Sequence, residues 1–405
     1  MGVWLADRPV GTLINLPGDD NLFSFHDAYL DDEHPPVLSQ GFITATGTTI
    51  RRVPRTHRVT PPFFANLLPD EDGVLRSIVA RQFDINRTRD YPFLHVLGED
   101  LPGAVIIREL DAPEEEPAVG EPRVPSDRPL RFSLAGAQLK FSANSVANRL
   151  TIPLRGTDGQ WIVKLPTNAY PRLPENEYAI MRFAKAVGLD VPDIDLVELD
   201  QIDGLPRDLP LLRTDEPPKA FKTRRFDRTR GGGRVHFEDL NQVAGQAPRD
   251  KYEGKATHWV ANVIATLCPP EDLEEFVRRL VFGVCTGNND MHLKNWSIGY
   301  RDGYNARISP LYDFVCTRLY YPNGDLVLTV GGERDFARID RDALRAFAVA
   351  AEISVRQTAV LANQLVERLR ETWNSFKVTI SDASLVAALE RNFSLVPLMR
   401  SRAHY

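Results

Sequence analysis

The sequence predicts an α+β protein in which two lobes follow a small mixed module, and three observations carry that prediction. A Pro- and Glu-rich stretch interrupts the chain just beyond residue 110, the segment after it reads as strands to about residue 230, and the remainder turns helical. The length allows more than one core, since 405 residues at about 150 per domain suggest two or three domains. With 43% hydrophobic and 26% charged residues, the composition excludes a fibrous or wholly disordered chain.

Taken in order, residues 1–110 are expected to form a small α+β module. Val10, Leu13 and Ile14, then Leu22, Phe23 and Phe25, flank the turn-forming run Pro17-Gly18-Asp19-Asp20-Asn21 and read as strands. Phe64, Leu67, Leu68, Leu75, Ile78 and Val79 recur at near-helical spacing, which predicts helix over Phe63 to Phe83. Residues 111–129 hold five prolines and six acidic residues, too little apolar surface to nucleate a core, and read as a linker. Residues 130–228 are expected to be a strand-rich lobe with one helix at Glu175 to Val187, where Tyr178, Met181, Ala184 and Val187 share a face. Residues 229–405 read as a helical lobe, with helices at Asn241 to Leu267, Leu273 to Val284, Asp340 to Phe376 and Ser381 to Arg391. Two such lobes frame a cleft.

The formal charge of -6 argues against a chain whose whole surface is a glove for nucleic acid. Arg224, Arg225, Arg228, Arg230 and Arg234, around the mobile hairpin tip expected at Gly231-Gly232-Gly233, could touch a polyanion but read better as a solvated face. Cys268, Cys285 and Cys316 each lie in an apolar run with no C-x-x-C pair, so neither a disulfide framework nor a zinc site is expected, and a reducing compartment fits. The N-terminal residues lack a basic segment followed by an apolar one, and no run reaches the roughly 18 to 20 apolar residues that span a bilayer. A cytoplasmic location without membrane contact is expected.

The sharpest chemical signal is Gly287-Asn288-Asn289-Asp290-Met291-His292-Leu293-Lys294-Asn295-Trp296-Ser297. Its first four residues alone would serve as a helix-capping loop, but the polar continuation exceeds what a cap needs. A second run, Ile308-Ser309-Pro310-Leu311-Tyr312-Asp313-Phe314, is strand-like and carries an aspartate 23 residues beyond Asp290. An Asp, an Asn five residues later and a distal Asp is the layout of phosphoryl-transfer sites: the loop Asp accepts the hydroxyl proton, and the Asn and later Asp hold magnesium. Such a site needs a cation for the nucleotide phosphates. Lys164, inside Trp161-Ile162-Val163-Lys164-Leu165-Pro166, supplies one where burial demands an anionic partner. Glu177 on the following helix is a candidate partner, and Glu175 competes with it. Upstream, Phe132-Ser133-Leu134-Ala135-Gly136-Ala137-Gln138-Leu139-Lys140 is neither a Walker A sequence nor G-x-G-x-x-G. A tight β-turn and a phosphate cradle both remain open readings.

The order FSLAGAQLK, WIVKLP, NEYAIMRFAKAVGLDVP, RRFDR, GNNDMHLKNWS, LYDF resembles the HipA family of toxin serine/threonine kinases, and Val10-Gly11-Thr12-Leu13 with Phe63-Phe64-Ala65-Asn66-Leu67-Leu68-Pro69 is similar to that family's amino-terminal domain. The resemblance implies a two-lobed protein-kinase-like fold of the phosphatidylinositol-kinase-like kind. It implies Asp290 as catalytic aspartate, with His292 and Lys294 beside the γ-phosphate, and Asn295 and Asp313 as ligands of Mg2+. ATP would be held by Ser133, Ala135, Gly136, Ala137, Gln138, Lys140 and Lys164, with Arg225, Phe226 and Asp227 at the hinge near the adenine. Ser133 matches the loop serine that family members autophosphorylate, which switches the kinase off. One departure stands out: Leu139 occupies a position that is acidic in the family's loop.

The same resemblance implies a toxin that moves the ATP γ-phosphate to a protein hydroxyl. The expected target is an aminoacyl-tRNA synthetase, glutamyl-tRNA synthetase first among them, with translation inhibition, growth arrest and persistence as the result. It also implies a helix-turn-helix antitoxin of the HipB type, through which operator DNA would mainly be bound. The alternatives are a non-catalytic co-repressor subunit with a kinase-like fold, which Leu139 favours, and a kinase for a small hydroxyl compound.

Overall fold

The N-terminal strands form where the alternation places them. In the computed structural model, which describes residues 1–110, 139–146, 149–151, 159–205 and 217–400, β1 (Gly2–Leu5), β2 (Arg8–Leu16), β3 (Asp20–Phe25), β4 (Thr56–His57) and β5 (Val105–Arg108) make an antiparallel sheet of order β4-β3-β2-β1-β5. Gly18 and Asp19 at φ 87° and 66° give the β2–β3 turn the left-handed backbone that matches strand twist. Val3, Val10, Leu13, Phe23 and Phe25 face inward, and Phe23 meets Phe64 edge-on at 4.8 Å between ring centroids.

The helix expected over Phe63 to Phe83 is two helices, Pro62–Ala65 and Val74–Phe83. Pro69 interrupts it, because proline offers no N–H and disfavours helical backbone at the residue before it. The chain turns there, with the Gly73 amide donating to the Asp70 carbonyl at 2.9 Å. This break carries Asn66 and Asp70 toward the rest of the protein.

A six-stranded sheet follows, of order β10-β7-β6-β8-β11-β9, from β6 (Lys140–Val146), β7 (Arg149–Thr151), β8 (Trp161–Lys164), β9 (Ile194–Glu198), β10 (Ile202–Asp203) and β11 (Lys219–Arg224). In its register Lys140 lies directly opposite Lys164, a like-charge pair that is costly unless anions answer it. Phe141, Ala143, Val163, Leu165, Val197 and Ala220 from this sheet share one core with the N-terminal module. The other side carries the amphipathic helix Leu173–Ala186, which buries Ile180, Met181, Phe183 and Ala184 and joins a second core with the helical lobe. The linker expected at 111–129 lies outside the described residues.

The helical lobe contains β12 (His236–Asp239), β13 (Ser297–Tyr300) and β14 (Arg307–Ile308) as a small antiparallel sheet beside the helices Thr257–Leu267, Pro270–Thr286, Arg341–Ala350, Val355–Phe376 and Ala383–Leu395. Two expected helices are divided. Asn241 to Leu267 begins with the short helix Leu240–Val243 and resumes at Thr257, because Gly245 and Gly254, both with positive φ, and Pro248 hold a loop between them. Asp340 to Phe376 breaks at Glu352, φ 53°, and Asp340 and Ser354 each cap the start of a half. The strand expected over Ile308 to Phe314 pairs only at Arg307–Ile308; Pro310 cannot donate to a ladder, and Asp313 turns to φ 56°.

The three cysteines are free thiols, and among the described residues no helix is long and apolar enough to cross a membrane. Gly283, in the helix Pro270–Thr286, lets Met291 press against the helix: a Cβ there would lie 2.2 Å from the Met291 sulfur and 3.2 Å from the Phe314 ring. Met291 is buried and cannot step aside freely. Gly283→Ala is therefore expected to cost about 1–3 kcal/mol by overpacking, read as a lowered urea midpoint; an unchanged midpoint would show that this contact is slack.

Candidate active site

The cleft between the lobes, about 650 Å³, is built around Lys164 at the end of β8. Its ammonium donates to Glu177 Oε1 at 2.5 Å and to Asp313 Oδ1, and Lys140 Nζ stands 3.8 Å from Asp313 Oδ2. Glu177, not Glu175, is thus the helix carboxylate that meets the lysine; Glu175 lies near Arg172 instead. Burial alone would lower the Lys164 pKa, but Asp313 and Glu177 hold it above the usual lysine value. Asp313, with two lysines beside it, stays well below the ordinary carboxylate range in spite of burial. Glu177 is almost wholly enclosed, and burial pushes it up to about 6 although Lys164 opposes the shift. Burial also lowers Lys140, with Asp313 opposing.

Across the cleft, Gly287 takes φ 75° and closes the helix Pro270–Thr286. The loop then doubles back on itself. The Asp290 amide donates to Asn288 Oδ1 at 3.1 Å, and the Asp290 carbonyl accepts from the His292 amide at 2.8 Å and from Asn295 Nδ2 at 2.8 Å. That last bond commits the Asn295 amide nitrogen and leaves its Oδ1 without a hydrogen-bond partner among the described residues. The Asp290 side chain, 46% exposed, opens to the cleft, and the loss of bulk water around it pushes its pKa up to about 6, with Lys251 opposing. His292 Nε2 is 4.0 Å from Asp290 Oδ2. Burial, with Lys251 and Lys294 nearby, pushes the imidazole down to about 3, so it is neutral at physiological pH, and its buried Nδ1 has no hydrogen-bond partner among the described residues.

The arginines read as a solvated face are corrected in part: Arg225 and Arg228 are buried. Asp227 grips Arg225 bidentately, at 2.8 Å to Nε and 2.7 Å to Nη2, and accepts from Arg228 Nη1 at 2.8 Å and the Gly103 amide at 2.9 Å. Asp100 takes a further bond from each guanidinium, at 3.1 and 3.2 Å. Unpaired guanidinium groups could not enter a core, so the ion network between module and lobe is what makes their burial affordable. The side chains of Arg225 and Asp227 thereby bind the module while edging the cleft, and Phe226 lines it beside them, tilted against Tyr312 at 5.6 Å. Gly231–Gly233 does form a hairpin tip, closed by the Arg228–Arg234 bridge.

The cleft thus gathers Lys140, Lys164, Arg225, Phe226, Asp227, Asp290, His292, Lys294, Asn295 and Asp313. Ser133, Ala135, Gly136, Ala137 and Gln138 lie outside the described residues. Leu139 packs against the core shared with the N-terminal module, which gives its apolar side chain a structural use. Sequence reasoning missed Asp70, Lys251 and Tyr252. Lys251 Nζ is 2.9 Å from Asp70 Oδ2, Lys294 Nζ is 3.3 Å from Asp70 Oδ1, and the Tyr252 ring meets His292 edge-on at 5.1 Å. The signal that could have found Asp70 is a carboxylate directly after Pro69, in a run singled out for other reasons.

Residues 1–108 match the HipA N-terminal domain and residues 132–373 match the HipA-like C-terminal domain. Over 395 residues the chain is 40% identical to Y4dM of Sinorhizobium fredii, which carries the name of a kinase, with 96% of this chain and 94% of that one covered. It is 24% identical over 295 residues to the serine/threonine-protein kinase toxin HipA of Shewanella oneidensis, covering 64% of this chain and 63% of the toxin. Among solved structures, the Shewanella oneidensis HipA in complex with HipB and operator DNA superposes with a TM-score of 0.72 at 19% identity, over 99% of this chain and 100% of that one. The two share a fold, with strand-rich and helical lobes of the protein-kinase kind.

Because Asp227 neutralises two buried guanidinium groups, Asp227→Ala is expected to destabilise the chain by about 3–5 kcal/mol, read in chemical denaturation. A loss below about 1 kcal/mol would mean that solvent or Asp100 compensates.

Proposed function

The chain belongs to the HipA family, and from that premise we propose that it is a kinase that transfers the γ-phosphate of ATP to a serine or threonine hydroxyl of another protein. The observation that carries the reading is the convergence in one cleft of an ion-paired lysine, a carboxylate with a raised pKa on a loop, and two oxygen donors on separate segments. Phosphoryl transfer is mostly positioning and charge stabilisation, and these residues supply both.

Asp290 accepts the proton of the substrate hydroxyl as that oxygen bonds to the γ-phosphorus; the bond from phosphorus to the β–γ bridging oxygen breaks, and ADP leaves. Lys164 binds the nucleotide phosphates, and Glu177 keeps its ammonium in place when Asp313 turns to other work. Lys294 brings a positive charge to the γ-phosphate side, and neutral His292 offers a hydrogen-bonding edge without added charge. Asn295, through its free Oδ1, and Asp313, through its carboxylate, would hold Mg2+. Two hard oxygen donors are too few for a closed protein cage but suit an ion that keeps water and phosphate oxygens as its other ligands, and Mg2+ there would neutralise charge on the phosphates. Lys140 belongs to the phosphate side, a role that family membership also supports for Ser133, Ala135, Gly136, Ala137 and Gln138, and the backbone around Phe226 belongs to the adenine side.

Family membership supports the finer assignments. The target is an aminoacyl-tRNA synthetase, glutamyl-tRNA synthetase first, with growth arrest following from halted translation. Ser133 is the autophosphorylated loop residue. A HipB-type antitoxin is the partner through which operator DNA is bound.

Purified chain incubated with labelled ATP and magnesium should transfer label to itself or to an added synthetase, and Asp290→Ala should lower the rate by at least about a hundredfold, the scale of general-base catalysis. Undiminished transfer in that variant would remove Asp290 from the chemistry. The active form of Asp290 is the carboxylate, and with its pKa at about 6 that form is lost as pH falls. Wild-type transfer should therefore decline below about pH 6, and a rate flat to pH 5 would contradict the role.

A further inference from the structure

Asp70 is a cleft residue that neither lobe supplies. It stands on the N-terminal module at the turn Pro69 imposes, and that strap is clasped by the helical lobe: Asn66 Nδ2 donates to the Gln246 carbonyl at 2.9 Å, Asn241 Nδ2 donates to Asn66 Oδ1 at 2.9 Å, and Gln242 Nε2 donates to the Phe63 carbonyl at 2.9 Å. Held there, the Asp70 carboxylate divides its two oxygens between two ammonium groups, Lys294 at 3.3 Å and Lys251 at 2.9 Å. Lys294 Nζ also reaches the Asn66 carbonyl at 3.5 Å. Lys294 belongs to the catalytic loop and Lys251 to the loop that divides an expected helix, so a single module side chain ties together two segments of the other lobe.

All three side chains are largely buried. Burial alone would push the Asp70 carboxyl up, yet Lys294 and Lys251 hold it well below the usual carboxylate range. A mostly buried ammonium group seeks a carboxylate. Asp290 and Asp313 line the same cleft, and an ammonium closed on Asp290 would occupy the oxygens that must accept a proton. Among the described residues no lysine or arginine comes within salt-bridge distance of Asp290; the neutral His292 ring stands 4.0 Å from it, and the Tyr252 hydroxyl lies beside it. The two ammonium groups answer Asp70, with Asp239 also facing Lys294, and they place positive charge at the cleft wall, the sign a transferring phosphate requires.

We propose that the N-terminal module is a working part of the kinase site: Asp70 is a positioning residue that holds Lys294 and Lys251 at the cleft wall, off the Asp290 carboxylate and available to the phosphate. The inference rests on the kinase reading above. It makes the module more than a scaffold, since removing one negative charge from it changes the charge balance at the proton-accepting group.

The test compares full-length wild type with Asp70→Asn, Asp70→Glu and Ser39→Ala, measuring Mg-ATP binding by calorimetry and kcat by label transfer. Ser39 Oγ donates to Glu238 Oε2 at 2.5 Å in the same module–lobe interface, outside the cleft lining, so Ser39→Ala loosens docking without touching the cations. Asp70→Asn should lower kcat by about tenfold or more, because Lys294 and Lys251 lose the carboxylate that holds them at the cleft wall. Asp70→Glu should recover part of the rate, and Ser39→Ala should stay within about twofold of wild type. Wild-type kcat in Asp70→Asn would overturn the inference and leave the kinase reading standing, and so would an equal loss in Ser39→Ala or no recovery in Asp70→Glu. A wild-type chain that binds no Mg-ATP would overturn the kinase reading and this inference with it.

Discussion

A buried ammonium group cannot be left without anions, and at Lys164 that requirement organises the molecule. The strand register sets Lys140 directly opposite it, so two cations share one patch of sheet and two carboxylates must reach them. One comes from the helix packed on the sheet, Glu177, and the other from the far lobe, Asp313. Because Asp313 belongs to a segment that leaves its sheet after Ile308, the contact holds the lobes together across the cleft they enclose. The cost of desolvating these charges is offset only while all partners are present, so the same constraint that joins the lobes poises the site for a polyanionic ligand that competes for the lysines.

The N-terminal module is built into this arrangement at three levels. Its sheet shares an apolar core with the strand-rich lobe. Its Asp100 and the Gly103 amide enter the buried network of Arg225, Asp227 and Arg228, and its Asn66 and Asp70 reach Gln246 and Lys294 of the helical lobe. The second and third sets of contacts are polar, directional and mostly enclosed, the kind that fixes one geometry rather than adding general adhesion.

Much of this was legible in the sequence, for physical reasons that also mark where legibility ends. The β2–β3 hairpin, the amphipathic helix over Glu175 to Val187 and the helix around Leu273 to Val284 follow from periodicity and turn chemistry, and the structure has all three. The Asp290-to-Asn295 loop and Asp313 were readable because their spacing is local or ordered along the chain. Helix breaks at Pro69, Gly245 and Glu352 were not read, since an apolar period runs through them while the backbone does not. Arg225 and Arg228 read as part of a solvated face because a cluster of arginines looks like surface until Asp100, 125 residues away from Arg225, is brought beside them. Asp70 escaped for the same reason: its partners Lys251 and Lys294 are meaningful only once three distant segments share one wall.

The central claim is that the Lys164–Asp313 contact is the resting form of a metal-dependent nucleotide site. Calorimetric titration of ATP into the full chain, with magnesium and with a chelator, in wild type and in Asp313→Asn, tests it most directly. The account predicts saturable binding in wild type that magnesium strengthens by about tenfold or more, and loss of that magnesium dependence in Asp313→Asn. Equal ATP affinity in all four conditions, or no binding at all, would contradict it.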